Sequence, residues 1–185
     1  MMKNKPMLAY PVSDKPIDYS KPVFIQPKLD GVRCLIQADS KHLIHPMVTA
    51  YSRTGKEWKN IDHILQALVP FFTKHPNVVL DGELYNHDFK DDFESIISMV
   101  RKTKPTDEDR SISKKHVQFH CYDIVNKKMK FSTRDKWIKD NLQESYCVIT
   151  VPTVQMTSED GARLTHAVNL KAGYEGSIVR LDTPY

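Results

Sequence analysis

The stretch FIQPKLDGVRCLI, residues 24–36, sets Lys28, Asp30, Gly31 and Arg33 in the pattern K-x-D-G-x-R. A lysine in such an apolar, strand-like run is either a surface residue whose ammonium reaches water or a nucleophile whose amine attacks uncharged. Free lysine titrates at about 10.4, so attack near neutral pH needs nearby cations, a metal ion or desolvation to favour the neutral amine. Arg33 and a metal would exert that influence. The Asp30-Gly31 bend would turn the chain back so that Lys28 and Arg33 approach one pocket, with Asp30 able to orient the ammonium or a metal-bound water. Four fixed positions coincide by chance in roughly one chain in a thousand at ordinary residue usage, which weighs against a plain hairpin with ordinary surface charges.

Further residues of matching chemistry follow in order: Arg53 in YSRTGKEW, Glu83 in VVLDGELY, Tyr122 and Asp123 in FHCYDIV, Glu175 and Arg180 in GYEGSIVR. Singly, each has a bland explanation as a loop arginine, a hairpin acid or a core aromatic. Together their types are compatible with nucleotidyl transfer, among other readings. Transfer of an adenylyl group develops charge on the α-phosphate oxygens and the leaving pyrophosphate, which calls for positioned cations such as Arg33, Arg53 and Mg²⁺. Magnesium takes hard oxygen ligands and keeps several waters, so Glu83 and Glu175 would suffice as direct or water-mediated contacts. Tyr122 has a flat face for a base and a hydroxyl that can stay wet. Gln26 either reads the purine edge through its amide or is a solvent-facing strand residue.

These elements, in this order, resemble those of ATP-dependent DNA ligases and of their relatives in the covalent nucleotidyltransferase superfamily, the mRNA capping guanylyltransferases. The resemblance implies that Lys28 attacks the α-phosphate of a nucleotide, releases pyrophosphate and holds the nucleotide as a phosphoramidate. It makes Arg53 a phosphate-gripping residue, Glu83 a contact to the ribose or to magnesium, and Tyr122 the stacking aromatic. Glu175 falls near the nucleophile and metal, with Arg180 a weaker candidate. The spelling of S-R-T-G and E-G-S-I-V-R is closer to DNA ligases than to capping enzymes or RNA ligases, implying ATP over GTP and nicked duplex DNA over an RNA end. A GTP-using capping enzyme, an RNA ligase and a non-catalytic nucleotide- or DNA-binding module are the alternatives. In the family a further lysine-containing strand and an OB-fold domain follow the E-G element. Residues 1–185 are therefore expected to be an adenylation domain that stops before that strand, with the OB-fold absent from this chain and sealing weak or lacking in it alone.

Several segments must position these groups. Strand-like runs, rich in β-branched and aromatic residues, are PVFIQPKLD, VRCLIQAD, MVTAYSR, NVVLDGELYN, HVQFHCYDIV, CVITVPTVQM and GSIVRLD. Four helical patterns lie among them. Ile61, Ile64, Leu65 and Leu68 carry the first, and Asp91 and Glu94 stand at capping-box spacing before Ile96, Ile97 and Val100. Ser132 and Asp135 open a third bearing Trp137, Ile138 and Leu142; Thr157 and Asp160 open a fourth bearing Leu164 and Val168 and ending at Gly173. Several connections are too short for helical crossovers, so the expected class is α+β, with mainly antiparallel sheets flanked by helices. The resemblance makes this an ATP-grasp-like nucleotidyltransferase domain. No Rossmann G-x-G-x-x-G and no P-loop occurs.

Composition limits the remaining classes. The 185 residues are 40% hydrophobic, enough for one domain with a core, and no apolar run is long enough to span a bilayer or form a signal peptide. An intracellular, monomeric protein is expected. Cys34, Cys121 and Cys147 are too few and too scattered for a disulfide framework or zinc site and read as core thiols. Residues 101–139 hold 12 Lys and Arg against 5 Asp and Glu, a candidate footprint for DNA phosphates or else a solvated surface. Eight histidines, among them His42, His45, His116 and His120, stand in no catalytic or metal-binding pattern.

Overall fold

The computed structural model describes residues 5–39 and 46–185; His42 and His45 lie outside these. Two sheets form the framework. One has three strands in the order β7-β1-β8, built from β1 (Val23–Lys28), β7 (Val154–Met156) and β8 (Gly176–Leu181). The other has five in the order β3-β2-β4-β5-β6: β2 (Val32–Asp39), β3 (Met47–Tyr51), β4 (Val79–Tyr85), β5 (Gln118–Ile124) and β6 (Val148–Thr150). All pairings are antiparallel except β5 with β6. The expected α+β class is what the structure has.

The Asp30-Gly31 bend does not make a hairpin. β1 and β2 belong to different sheets, so the bend passes the chain across the seam between them, a correction to the fold-back expected from the sequence. Gly31 is required there by close approach. A Cβ on it would lie 2.6 Å from both Glu83 Cγ and the Leu84 carbonyl oxygen. CVITVPTVQM likewise divides at Pro152 into β6 and β7, one strand for each sheet.

The helices are α1 (Asp62–Ala67), α2 (Val69–Lys74), α3 (Phe93–Val100), α4 (Asp107–His116), α5 (Phe131–Asn141) and α6 (Glu159–Lys171). The side chains that alternate away from the seam in β2, β4 and β5 (Cys34, Ile36, Leu80, Leu84, Phe119, Cys121) form the main core with Ile64, Phe72, Ile96, Val100 and Ile138 from the helices. The three cysteines are free and buried, as expected.

Some helix boundaries move relative to the sequence reading. Asp92 rather than Asp91 caps α3, and Ser158 rather than Thr157 caps α6. Neither Ser132 nor Asp135 caps α5: its N-cap residue is Lys130, which makes no side-chain cap bond, and the Ser132 N–H donates to the Asp182 carboxylate instead. α4 lies outside the four helical patterns expected from the sequence, although it has a complete Thr106–Asp109 capping box. Leu164 and Val168 of α6 are not core: they are 68% and 57% exposed, and Ala162 is the buried apolar residue of that helix. None of the described helices is long and apolar enough to cross a membrane.

Replacing Gly31 forces the bend and β4 apart. Gly31→Ala is expected to cost about 1–3 kcal/mol, as overpacking does, measured as a lowered urea midpoint with unchanged slope; an unchanged midpoint would show that the seam yields freely.

Candidate active site

Lys28 ends β1, where Lys28 and Gly176 are register partners across the β1–β8 ladder. That pairing sets Glu175 beside it: the Glu175 N–H donates to the Lys28 carbonyl at 3.2 Å, and the Lys28 ammonium forms an ion pair with Glu175 Oε1. Both side chains are well exposed, at 39% and 47%. The two groups that the sequence separates by 147 positions are thus direct partners. Asp30 does not share the ammonium; it is exposed and makes no hydrogen bond or ion pair among the described residues.

The opposite wall comes from the five-stranded sheet. Alternation along β4 sends Asp81, Glu83 and Tyr85 toward the seam and Leu80 and Leu84 into the core. In β5 a bulge places Tyr122 without a register partner, between Cys121 opposite Gly82 and Asp123 opposite Asp81. The bulge lets two successive residues, Tyr122 and Asp123, both serve the seam. Tyr122 donates its hydroxyl proton to Glu83 Oε2 at 3.3 Å. Burial pushes the Glu83 carboxyl up to about 8, helped by Asp81 and opposed by Arg33, the Tyr122 hydrogen bond and Lys28. Burial likewise raises the Tyr122 hydroxyl well above its ordinary range.

Beneath these lies an ionic layer that the sequence reading did not foresee. Asp81 and Asp123 are completely buried and directly opposite each other. Arg33 grips Asp81 side-on, Nε to Oδ1 at 2.7 Å and Nη2 to Oδ2 at 2.6 Å. Arg134 of α5, itself 1% exposed, grips Asp123 in the same way at 2.7 and 3.1 Å, and Arg180 of β8 adds a third contact at 3.4 Å. Tyr185 donates to Asp81 at 2.8 Å. Arg33 is therefore no free clamp, yet side-on pairing consumes two of its five N–H donors and leaves three for a phosphate. The guanidinium carbons of Arg33 and Arg180 lie 5.1 and 5.2 Å from the Tyr122 ring centroid.

Gln26 is 2% exposed, which contradicts a solvent-facing position. Its amide is already engaged, donating to the Tyr122 carbonyl and Thr153 Oγ1, both at 3.0 Å, and accepting from Arg180 at 3.2 Å. It braces β1 against β5 and β8. Arg53 occupies the turn after β3, closed by Gly55 N–H to the Ser52 carbonyl at 2.9 Å. The β2–β3 ladder ends at Leu35 and Tyr51, so this turn starts beside Arg33. Arg53 is exposed and has no bonded partner among the described residues.

The basic middle segment is not one patch. Lys102, Arg110, Arg134, Lys136 and Lys139 are paired with carboxylates, and the remaining charges divide between the α3–α4 region and the loop before α5. Among the described residues no group of three or more His, Cys, Asp or Glu gathers as a metal site. Glu83 and Glu175 alone would be too few to hold a metal ion, and would suit at most a hard cation that arrives with a phosphate ligand and keeps its waters.

A family model described as the ATP dependent DNA ligase domain matches residues 6–185. The chain belongs to this family. Its fold is that of the ligase adenylation domain in the nucleotidyltransferase superfamily, and family membership implies use of ATP. The Chlorella virus DNA ligase-adenylate has a TM-score of 0.64 and 19% identity over 98% of this chain and 61% of its own. The ATP-dependent DNA ligase of bacteriophage T7, in complex with ATP, scores 0.67 at 17% identity, over 89% and 58%. An archaeal ATP-dependent RNA ligase scores 0.59 at 17% identity, over 88% and 40%. At these identities the likeness is one of fold, and the chain spans less than two thirds of each structure's length. No curated protein sequence matches the chain.

Arg134→Met leaves the Asp123 carboxylate without its principal partner and is expected to cost about 3–5 kcal/mol, readable by urea unfolding; a loss under about 1 kcal/mol would show the layer to be solvated. Burial, with a contribution from His87, lowers His120 to about 4. The unfolded chain then binds the proton more tightly, so stability falls as pH drops from about 6.5 toward 4. A denaturation series over that range should show a smaller fall in His120→Gln, and parallel curves would exclude this origin.

Proposed function

We propose that this chain is the nucleotide-loading unit of a DNA ligase. Lys28 Nζ, having lost a proton, attacks the α-phosphorus of ATP. A P–N bond forms, the bond to the bridging oxygen of the leaving group breaks, and pyrophosphate departs, leaving AMP on the lysine. The observation that carries this reading is the direct pairing of Lys28 with Glu175 at the mouth of a seam whose other wall presents Glu83 and Tyr122. Such a lysine is held at one point with its amine still reachable by a ligand.

The remaining groups have roles that follow from their chemistry. Arg53 and the free donors of Arg33 would bind phosphate oxygens and oppose the charge that grows as pyrophosphate leaves. Glu83 would accept from the ribose hydroxyls or face a magnesium ion, and Glu175 would hold Lys28 in line. Magnesium, when bound, would neutralise phosphate charge and orient the leaving group. A purine stacked on Tyr122 competes with a guanidinium for the ring, so base binding would move Arg33 or Arg180. Gln26 and Arg180 act as braces behind Tyr122. AMP is then passed to the 5′-phosphate of nicked duplex DNA before sealing, a step proposed for the whole protein.

An RNA end is the second reading, favoured by the archaeal RNA ligase that shares the fold. Incubation with α-labelled ATP and Mg²⁺, followed by denaturing electrophoresis, tests the first step. A label that resists denaturation and is absent in Lys28→Ala is expected. No label on wild-type protein, including any longer form, would overturn the enzymatic reading, and preferential labelling by GTP would overturn ATP. Loaded protein offered nicked DNA or nicked RNA should adenylylate the DNA faster; faster transfer to RNA would favour the second reading.

A further inference from the structure

Glu175 sits on a short connection, residues 172–175, between α6 and β8. One side of it is tied to β1 through the bond from its N–H to Lys28. The other side is held across the seam by His87, in the turn that follows β4. His87 Nε2 bonds the Ala172 carbonyl at 3.0 Å, and its ring packs on Tyr174 with centroids 4.5 Å apart. Nδ1 meets the Tyr85 hydroxyl at 2.7 Å. Because a carbonyl only accepts, Nε2 carries the proton and Nδ1 accepts from Tyr85.

Tyr85 is 2% exposed and stands edge-on to His120 at 5.2 Å, which fixes its ring. Its Cβ is also one of the atoms against which Gly31 packs. The pair Tyr85–His87 therefore touches both chain segments that flank the nucleophile: the bend just after Lys28 and the connection carrying Glu175. At Gly173 (φ 90°) this connection turns through a left-handed conformation and lies against the Lys90 side chain, another residue of the turn after β4. Nothing in this arrangement is needed to close α6, whose last turn is already bonded by Ala172 N–H to Val168 and Tyr174 N–H to Asn169.

We propose that His87, oriented by Tyr85, is a positioning residue that sets the 172–175 connection so that Glu175 meets Lys28. The inference rests on the Lys28–Glu175 pairing and adds a residue from the turn after β4 that acts only through it. Its effect should vanish when Glu175 can no longer pair.

The test reads Lys28 directly, without nucleotide. Wild-type protein, Glu175→Gln, His87→Ala and the double variant are treated briefly with a small N-hydroxysuccinimide ester, and acylation of Lys28 is compared by peptide mass spectrometry with that of Lys136. Loss of one exposed ion pair corresponds to about a two- to fivefold rise in Lys28 acylation. That rise is expected in each single variant, with no further rise in the double. His87→Gln, which can still donate to Ala172, should restore most of the protection. His87→Phe, which keeps the ring on Tyr174 but loses both hydrogen bonds, should behave like His87→Ala and serves if that variant does not fold. Unchanged acylation in His87→Ala or His87→Phe, or multiplying effects in the double variant, would overturn the proposal.

Adenylylation gives the second reading: the rate at saturating ATP should fall about tenfold to a hundredfold, as small misplacements of reacting groups do, while half-saturation stays put. Wild-type protein that takes no label but shows the acylation pattern would sink the proposed reaction and leave the positioning role standing.

Discussion

The arrangement of this domain depends on two carboxylates that have no access to water. Asp81 and Asp123 face each other on neighbouring strands, fully buried, and would repel one another strongly if left alone. Three arginines from three different elements prevent this: Arg33 from β2, Arg134 from α5 and Arg180 from β8. Because the arginines come from both sheets and a helix, neutralising the pair also fixes how those elements meet. The seam between the sheets is thus set by charge and by Gln26, whereas the helical side of the five-stranded sheet is held by ordinary apolar packing.

The chemistry is built on top of that layer. Arg33 and Arg180 hold Tyr122 between the buried charges and the open side of the seam, and Tyr122 in turn bonds Glu83. The raised Glu83 carboxyl follows from the same crowding: burial, with Asp81, outweighs the nearby cations. Lys28 contrasts with this. It lies at the exposed end of β1, and its ammonium is restrained by a carboxylate from a connection that the other sheet holds in place. Buried, fully bonded groups lie underneath, and a lysine amine that solvent reaches lies above.

Much of this is legible in the amino-acid sequence. The four-residue pattern around Lys28, the ordered acidic and basic residues after it, and the alternation of Asp81, Glu83 and Tyr85 with Leu80, Gly82 and Leu84 are local features of the chain, and local spacing carries them. The missed helix α4 is legible too, through its Thr106–Asp109 capping box, but its charged composition disguises it as a basic surface segment. Leu164 and Val168 mislead in the opposite direction: their spacing is that of a buried face, yet α6 lies where nothing among the described residues covers them.

By itself, then, the sequence determined which groups are available and in what order, because a lysine, an arginine and a carboxylate are chemical identities that no fold can alter. Only the tertiary structure decided what each group is bonded to. The Asp30-Gly31 bend crosses between sheets because β1 finds its partners in β7 and β8, which lie far along the chain. Arg33 and Gln26 are tied down because buried polar groups must find partners, and those partners, Asp81, Tyr122, Thr153 and Arg180, are brought to them by register. Arg53 stays unpaired because its turn brings no carboxylate among the described residues within bonding reach. Satisfying buried charge is a long-range condition, and no local stretch of the chain contains its solution.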